Sequence, residues 1–407
     1  MEAVMIYLSK AWKTVLAGFG VNLSLGVLYS WGVISAALID NYQWTATQTQ
    51  IPYMVASVVF ALSMIPGGRL QDSVGPRVAL LIASILAGLG FILSSTTITV
   101  TGLTIFFGII FGLAMGFGYS APTPAAVKWF HVNNRGFISG IVVSGFGLAP
   151  LYIAPLTRVL IHQNGIPTTL LTLGILFFLT IFFLSFIIQN PPSRYIPIQL
   201  KAKKPQKTFA SEIDLDYPAM LKTSQFYLLW ILFFFGTFSG LLIIGQMAKI
   251  GQEQAGIENG AILVMVYAVF NFLGRISWGS ISDILGEKKA LFLIYFIQVI
   301  TYFIFHTMTE PFTLLIGKSL VGFTFGGMLT IFPVITSQLF GLKNLGVNYG
   351  FIMTAWGVGG FLGPLLGGTV RDITGTYQTS YTVSAIFCIA GSILTFFIKK
   401  PEARRLK

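Results

Sequence analysis

Gly68-Arg69-Leu70-Gln71-Asp72-Ser73-Val74-Gly75-Pro76-Arg77 separates two long apolar stretches, and Gly279-Ser280-Ile281-Ser282-Asp283-Ile284-Leu285-Gly286-Glu287-Lys288-Lys289 separates two others. Gly68, Asp72, Gly75 and Arg77 recur as Gly279, Asp283, Gly286 and Lys288, each offset by 211 residues (283 − 72). A chain that repeats the same polar break half a length later reads as two parallel copies. A weaker third copy, Gly368, Asp372 and Gly375, follows a later apolar stretch. The order of spans puts it on the opposite side of a membrane, as expected if each half is an inverted repeat of three helices. In each full copy the first glycine lets a neighbouring helix approach, and the second allows a tight turn. The aspartate has two readings beyond a plain turn: it caps an adjacent helix N-terminus, or it pairs with a basic side chain of the other half.

The sequence around these breaks is that of a membrane protein. Of 407 residues, 55% are hydrophobic and only 9% charged, against about 25% charged in soluble domains. Too few charges are present to cover a watery surface, to keep a chain disordered or to bind nucleic acid. The apolar stretches lack the two-residue alternation of barrel strands and read as helices. At about 20 residues per crossing they predict spans at 14–38, 50–69, 78–97, 103–127, 137–161, 168–189, 225–248, 260–281, 290–309, 312–338, 346–368 and 378–398. The fold class predicted is an all-α membrane protein of 12 transmembrane helices in two pseudo-symmetric six-helix bundles. Its parts are an N-terminal half at 1–190, a cytoplasmic linker at 191–224 carrying Arg194, Lys201, Lys203, Lys204 and Lys207, and a C-terminal half at 225–407. The first span carries no small-residue cleavage site and is expected to be retained. With the N-terminus in the cytoplasm, all but five of the 25 Lys and Arg fall on that side. The exceptions are Arg158, Lys249, Arg275, Lys318 and Arg371. The localisation expected is therefore the cell membrane, with both termini cytoplasmic. The net charge of +12 is a topology signal that favours anionic lipid.

Twelve spans in two halves, with this loop after the second and eighth, resemble the major facilitator superfamily across the whole chain. Ser73 and Ile284 stand where the family's loop has a basic residue after the aspartate. The resemblance implies alternating access, in which the halves rock about a central site and the loops at Gly68, Asp72, Gly75, Arg77 and at Gly279, Asp283, Gly286, Lys288 act as gates.

Arg275 is the residue most informative about cargo. It lies inside the eighth span, where a charge costs at least about 2.5–3.5 kcal/mol on insertion scales. None of the 13 carboxylates falls in the middle of a span. That points to a mobile anion as partner; a structural ion pair and an arginine snorkelling to the interface are the competing readings. The equivalent position in the first half is Met64, so the arginine is not part of the duplicated framework. Tyr267, Asn271, Arg275 and Trp278 follow at intervals of four, four and three, one helix face. A planar guanidinium matches a carboxylate bidentately, and Asn271 is expected to donate beside it.

Leu28-Tyr29-Ser30-Trp31, Pro66-Gly67-Gly68, Trp129-Phe130 with Arg135-Gly136, Arg275, and Asn348-Tyr349-Gly350 carry a narrower resemblance, to the oxalate/formate antiporter family, itself similar to the monocarboxylate porters. It implies a span-eight arginine within an aromatic cage, here Arg275 with Tyr29, Tyr119, Phe146 and Phe325. Dicarboxylate-exchanging members also use a span-eleven lysine, and Trp356 aligns with it. One buried cation leaves a second carboxylate without a partner. The expected cargo is thus a monocarboxylate of the lactate, pyruvate, acetate or formate type. A dicarboxylate antiporter, a carrier of an unrelated solute and a non-transporting receptor are the alternatives. Lys318 reads either as a second anion contact or as a snorkelling lysine, the latter preferred. His306 reads as interfacial. Asn271 cannot titrate where many monocarboxylate porters have an acid, so a co-transported proton remains one option among several. Neither enzymatic chemistry, a cofactor, a metal nor nucleic acid is expected. The expected partners are a small organic anion and the bilayer, around a monomer.

Overall fold

The computed structural model describes residues 2–192, 195–198, 200, 214–257 and 260–399. Arg194, Lys201, Lys203, Lys204 and Lys207 of the linker and the basic residues from Lys400 onward lie outside the described residues. In chain order the first helices are α1 (Glu2–Leu25), a 3₁₀ turn (Gly26–Ser30), α2 (Trp31–Tyr42), α3 (Ala46–Ser73), α4 (Pro76–Thr96) and α5 (Val100–Leu103). A π-helical stretch (Thr104–Phe111) leads to α6 (Gly112–Ser120) and α7 (Pro122–Val127), followed by α8 (Arg135–Leu148) and α9 (Pro150–Ser185). The later helices are α10 (Tyr217–Met220), α11 (Ser224–Gly245), α12 (Met247–Ala255), α13 (Gly260–Leu285), α14 (Glu287–Ile304), α15 (Pro311–Phe340), α16 (Leu345–Thr374) and α17 (Gln378–Thr395). Among the described residues there is no strand, only an isolated bridge between Phe130 and Ile198.

Helices prevail because a backbone in hydrocarbon must satisfy its own hydrogen bonds. Ten are long and apolar enough to cross a membrane among the described residues. Two of the expected spans run together in the stretch from Val132 to Ser185; they are separated at Gly165, whose φ of 76° is non-helical. The last expected span is α17, in which Ser and Thr dilute the apolar run, and it stands outside the ten.

Local chemistry sets the helix ends. Thr45 and Gln48 form a reciprocal capping box at the start of α3. Gly75 and Gly286 each precede a helix with positive φ, 113° and 85°, a conformation open to glycine alone at little strain. The chain packs as two compact units. One comprises Met1–His131, Ile141–Leu200 and Asn344–Phe351; the other comprises Val132–Gly140, Lys201–Lys343 and Ile352–Lys407. Each unit therefore contains the N-terminal turns of one helix that continues in the other. The described linker ends are tied down: the Ile198 amide donates to the Trp129 carbonyl at 3.0 Å, and the Leu215 amide to that of Phe340 at 2.9 Å.

Candidate functional site

The duplicated loops close two matching clasps. In the first unit the Asp72 carboxylate accepts from the amides of Gly346 (3.1 Å) and Val347 (2.8 Å), in the first turn of α16. In the second, Asp283 accepts from the amides of Gly136 and Phe137 at 2.8 Å each, in the first turn of α8. Both carboxylates thus cap helix N-termini, where unsatisfied amides and the dipole favour an anion. Lys128 approaches Asp72 to 4.0 Å. Arg77 and Lys288 take no part in these contacts. The Arg77 guanidinium lies over the Phe186 ring, and Lys288 donates to the Phe396 carbonyl at 2.8 Å.

Glycine makes the clasps possible. A Cβ on Gly136 would strike the Gly279 carbonyl oxygen, and one on Gly140 the Arg275 carbonyl oxygen. In the other unit a Cβ on Gly68 would strike Gly346, and one on Gly350 would come within 2.6 Å of the Met64 carbonyl oxygen. Gly136-x-x-x-Gly140 lies across Arg275 and Gly279; Gly346-x-x-x-Gly350 lies across Met64 and Gly68. These four-residue glycine pairs, the mark of close helix crossing, are visible in the sequence itself.

Arg275 is wholly buried, at 0% exposure. Its Nε donates to the Asn271 side-chain oxygen one turn earlier at 2.8 Å. Asn271 in turn directs its Nδ2 toward the Gly322 carbonyl of α15, at 3.4 Å. The amide expected to donate to cargo instead positions the guanidinium. Backbone contact reinforces this placement, since Gly326 of α15 abuts the Asn271 carbonyl and Arg275 amide. Tyr267 and Phe325 complete the neighbourhood, with ring centroids 6.5 Å apart. Trp278 continues the face and packs near Phe323, 5.7 Å between centroids. Trp356 is buried on α16 in the same unit.

The first unit holds a compact aromatic cluster. Phe146 makes edge contacts with Tyr29 (5.0 Å) and Tyr119 (5.6 Å). Phe60, absent from the sequence-based set, joins both Tyr119 (5.5 Å) and Phe146 (6.1 Å). The 3₁₀ turn that carries Tyr29 reaches Phe146 because Gly26 seats directly on the Phe146 carbonyl and the Ala149 methyl group.

Two outlying residues differ from one another. His306 is exposed in a short 3₁₀ turn, as an interfacial side chain would be. Lys318 overturns the snorkelling reading preferred from sequence. It is 0% exposed, and its ammonium donates to the Met247 carbonyl at 2.6 Å. A snorkelling lysine keeps its head in water; this one is turned inward.

An all-helical chain of apolar spans, duplicated about charge-capped helix ends and holding a buried cation, defines a polytopic membrane transporter. The chain belongs to the Major Facilitator Superfamily, whose family profile matches residues 14–311 and 249–407. The uncharacterized MFS-type transporter YhjX of Escherichia coli (strain K12) is 27% identical over 359 residues, covering 87% of this chain and 86% of the relative. The oxalate:formate antiporter of Oxalobacter formigenes is 28% identical over 400 residues, covering 95% and 91%. Monocarboxylate transporter 13 of Bos taurus is 24% identical over 386 residues, covering 94% and 87%. Among solved structures, the proton:xylose symporter XylE superposes with a TM-score of 0.73 at 13% identity, covering 96% of each chain, a likeness of fold.

Proposed function

We propose that this protein is a secondary transporter of a small organic anion, most simply a monocarboxylate of the lactate, pyruvate, acetate or formate type, working by alternating access. Arg275 carries the reading: a fully buried guanidinium, oriented at Nε by a neutral amide. A planar guanidinium matches a carboxylate in a bidentate fork, which an ammonium does not. Binding would offset the charge's burial and so permit occlusion. Asn271 is assigned to hold the arginine. Tyr267, Phe325, Trp356, Tyr29, Tyr119 and Phe146 are assigned to cargo contact. The relatives named for oxalate:formate and monocarboxylate transport support the anion class.

The finer topology belongs to the same proposal. Twelve crossings follow if the stretch broken at Gly165 counts twice and α17 spans. The halves are then 1–190 and 225–407, joined by 191–224, with both termini cytoplasmic in a cell membrane. Gly68, Asp72, Gly75 and Arg77, with Gly279, Asp283, Gly286 and Lys288, are assigned to gating, the aspartates directly and the basic residues by anchoring their helices.

A second reading, diacid exchange, draws on the buried Lys318 and the oxalate:formate relative. Helical register disfavours it. Gly326 sits at the level of the Arg275 amide, so Lys318, eight residues earlier, is about 12 Å away along α15 at 1.5 Å per residue. An oxalate-sized diacid bonded directly to one cation at about 2.8 Å does not reach the other.

The test is uptake by proteoliposomes of the Arg275→Gln variant. Removing one member of a buried charged pair is worth about 2–5 kcal/mol, so carboxylate uptake should fall by at least about 30-fold in kcat/KM. Undiminished uptake of every acid the wild type carries would refute the role.

A further inference from the structure

Lys318 is more deeply placed than an interfacial lysine and less well neutralised than a structural one. Its residue is wholly buried. An ammonium offers three donors and no acceptor; one is spent on the Met247 carbonyl at 2.6 Å. Among the described residues no carboxylate pairs with it. Glu253 and Asp372 both pair with Arg371, at 2.6 and 3.4 Å. A neutral carbonyl satisfies a proton but not a charge, and an uncompensated buried cation is expensive to maintain.

The acceptor sits at an irregular point. α11 ends at Gly245 and α12 begins at Met247, with Gln246 between them at φ −112°, ψ 12°. Lys318 therefore binds the first turn of α12, just past the break in the seventh span, where the leading amides of the helix lack intrahelical partners. Half-helix ends and unwound backbone of this kind characterise ion sites in transporters.

Register connects this lysine to the Arg275 cluster. On α15, Lys318, Gly322 and Phe325 follow at intervals of four and three, one helix face. Gly322 abuts the Tyr267 backbone, Phe325 approaches the Tyr267 ring, and Gly326 abuts Arg275. Lys318 thus occupies the same face about 12 Å toward the α15 N-terminus. In helices, side chains of both residues lean toward the N-terminus. Because α13 and α15 run side by side in the same direction, the two charges keep that separation.

We propose that Lys318 is a second carboxylate-binding residue, an outer station that the anion occupies before or after Arg275. This rests on the anion-transport reading given above. The Met247 carbonyl holds the ammonium in reserve; an arriving carboxylate is the stronger acceptor and also supplies the missing charge. A single small anion engages one cation and then the other, never both.

The experiment compares Lys318→Met and Lys318→Arg with wild type in proteoliposomes, using acetate, pyruvate and oxalate as probes and Arg275→Gln alongside. Thermal unfolding of each purified variant is recorded as well. Methionine keeps the stem and removes the charge. The expected result is a kcat/KM for Lys318→Met at least tenfold below wild type, carried mainly by KM, with Tm unchanged or raised. Lys318→Arg should stay within about threefold of wild type. Wild-type kinetics in Lys318→Met, or a loss that follows a lowered Tm and is not recovered by Lys318→Arg, would overturn the proposal. If Arg275→Gln loses uptake while Lys318→Met does not, this inference alone fails. If Arg275→Gln and wild type behave alike, the transport reading fails and takes the Lys318 station with it.

Discussion

Replacing Asp283 by asparagine should loosen the start of α8. The carboxylate accepts two amides, from Gly136 and Phe137, both at 2.8 Å. Asparagine retains one acceptor oxygen and turns an NH₂ toward the other amide. The loss is one hydrogen bond to a charged group, about 1.5–3 kcal/mol, together with the attraction of a carboxylate for a helix N-terminus, about 0.3–1 kcal/mol. The clasp is therefore weakened by about 2–4 kcal/mol, which lowers the ratio of engaged to released states by about 30- to 900-fold. Ser139 reports on this equilibrium. It is fully buried two residues beyond Phe137, with its hydroxyl donating to the Thr330 carbonyl at 3.3 Å. The chain's one native cysteine, Cys388, is buried, so maleimide labelling of Ser139→Cys starts from a low background. While the engaged state dominates, the labelling rate is proportional to the released fraction. Asp283→Asn should raise that rate by at least about 30-fold, up to the ceiling set by the released state itself. Rates within twofold of the parent in both Asp283→Asn and Asp283→Ala would show that the capping bonds do not hold α8 in place.

Two further predictions separate the role of Arg275 from the framework around it. Gly140→Ala and Gly350→Ala overpack equivalent crossings and should each destabilise by about 1–3 kcal/mol. Only Gly140→Ala displaces the Arg275 backbone, so its KM for carboxylate should rise by about tenfold (about 1.4 kcal/mol) while that of Gly350→Ala stays near wild type; equal kinetics would refute the asymmetry. Asn271→Leu removes the acceptor that orients Nε and should raise KM by about tenfold, equivalent to the loss of one hydrogen bond to a charged group. Uptake assays across a concentration series decide it, and an unchanged KM would mean the guanidinium is positioned by other contacts.

The readability of the site followed the range of each interaction. Asn271 and Arg275 are four residues apart on one helix, so their adjacency could be derived from spacing, although the direction of the hydrogen bond could not. Phe60 carried no sequence signal beyond being one of 37 phenylalanines; its place against Tyr119 and Phe146 depends on how α3 is rotated. Lys318 departs from its sequence expectation because a lysine near a helix end most often reaches water, whereas the first turn of α12 after Gln246 offers an inward acceptor.

Composition, hydropathy and the duplicated Gly-Asp-Gly loops were sufficient for a helical membrane protein with an internally repeated loop. Those properties are local: a bilayer demands long apolar helices, and a turn demands glycine wherever the backbone requires positive φ. What the aspartates hold, and where the lysine's charge rests, was decided only in three dimensions. Asp72 and Asp283 meet amides 274 and 147 residues away, and Lys318 meets a carbonyl 71 residues away. Such contacts depend on the rotation and register of whole helices, which are set by the packing of many side chains together and not by the residues that finally touch.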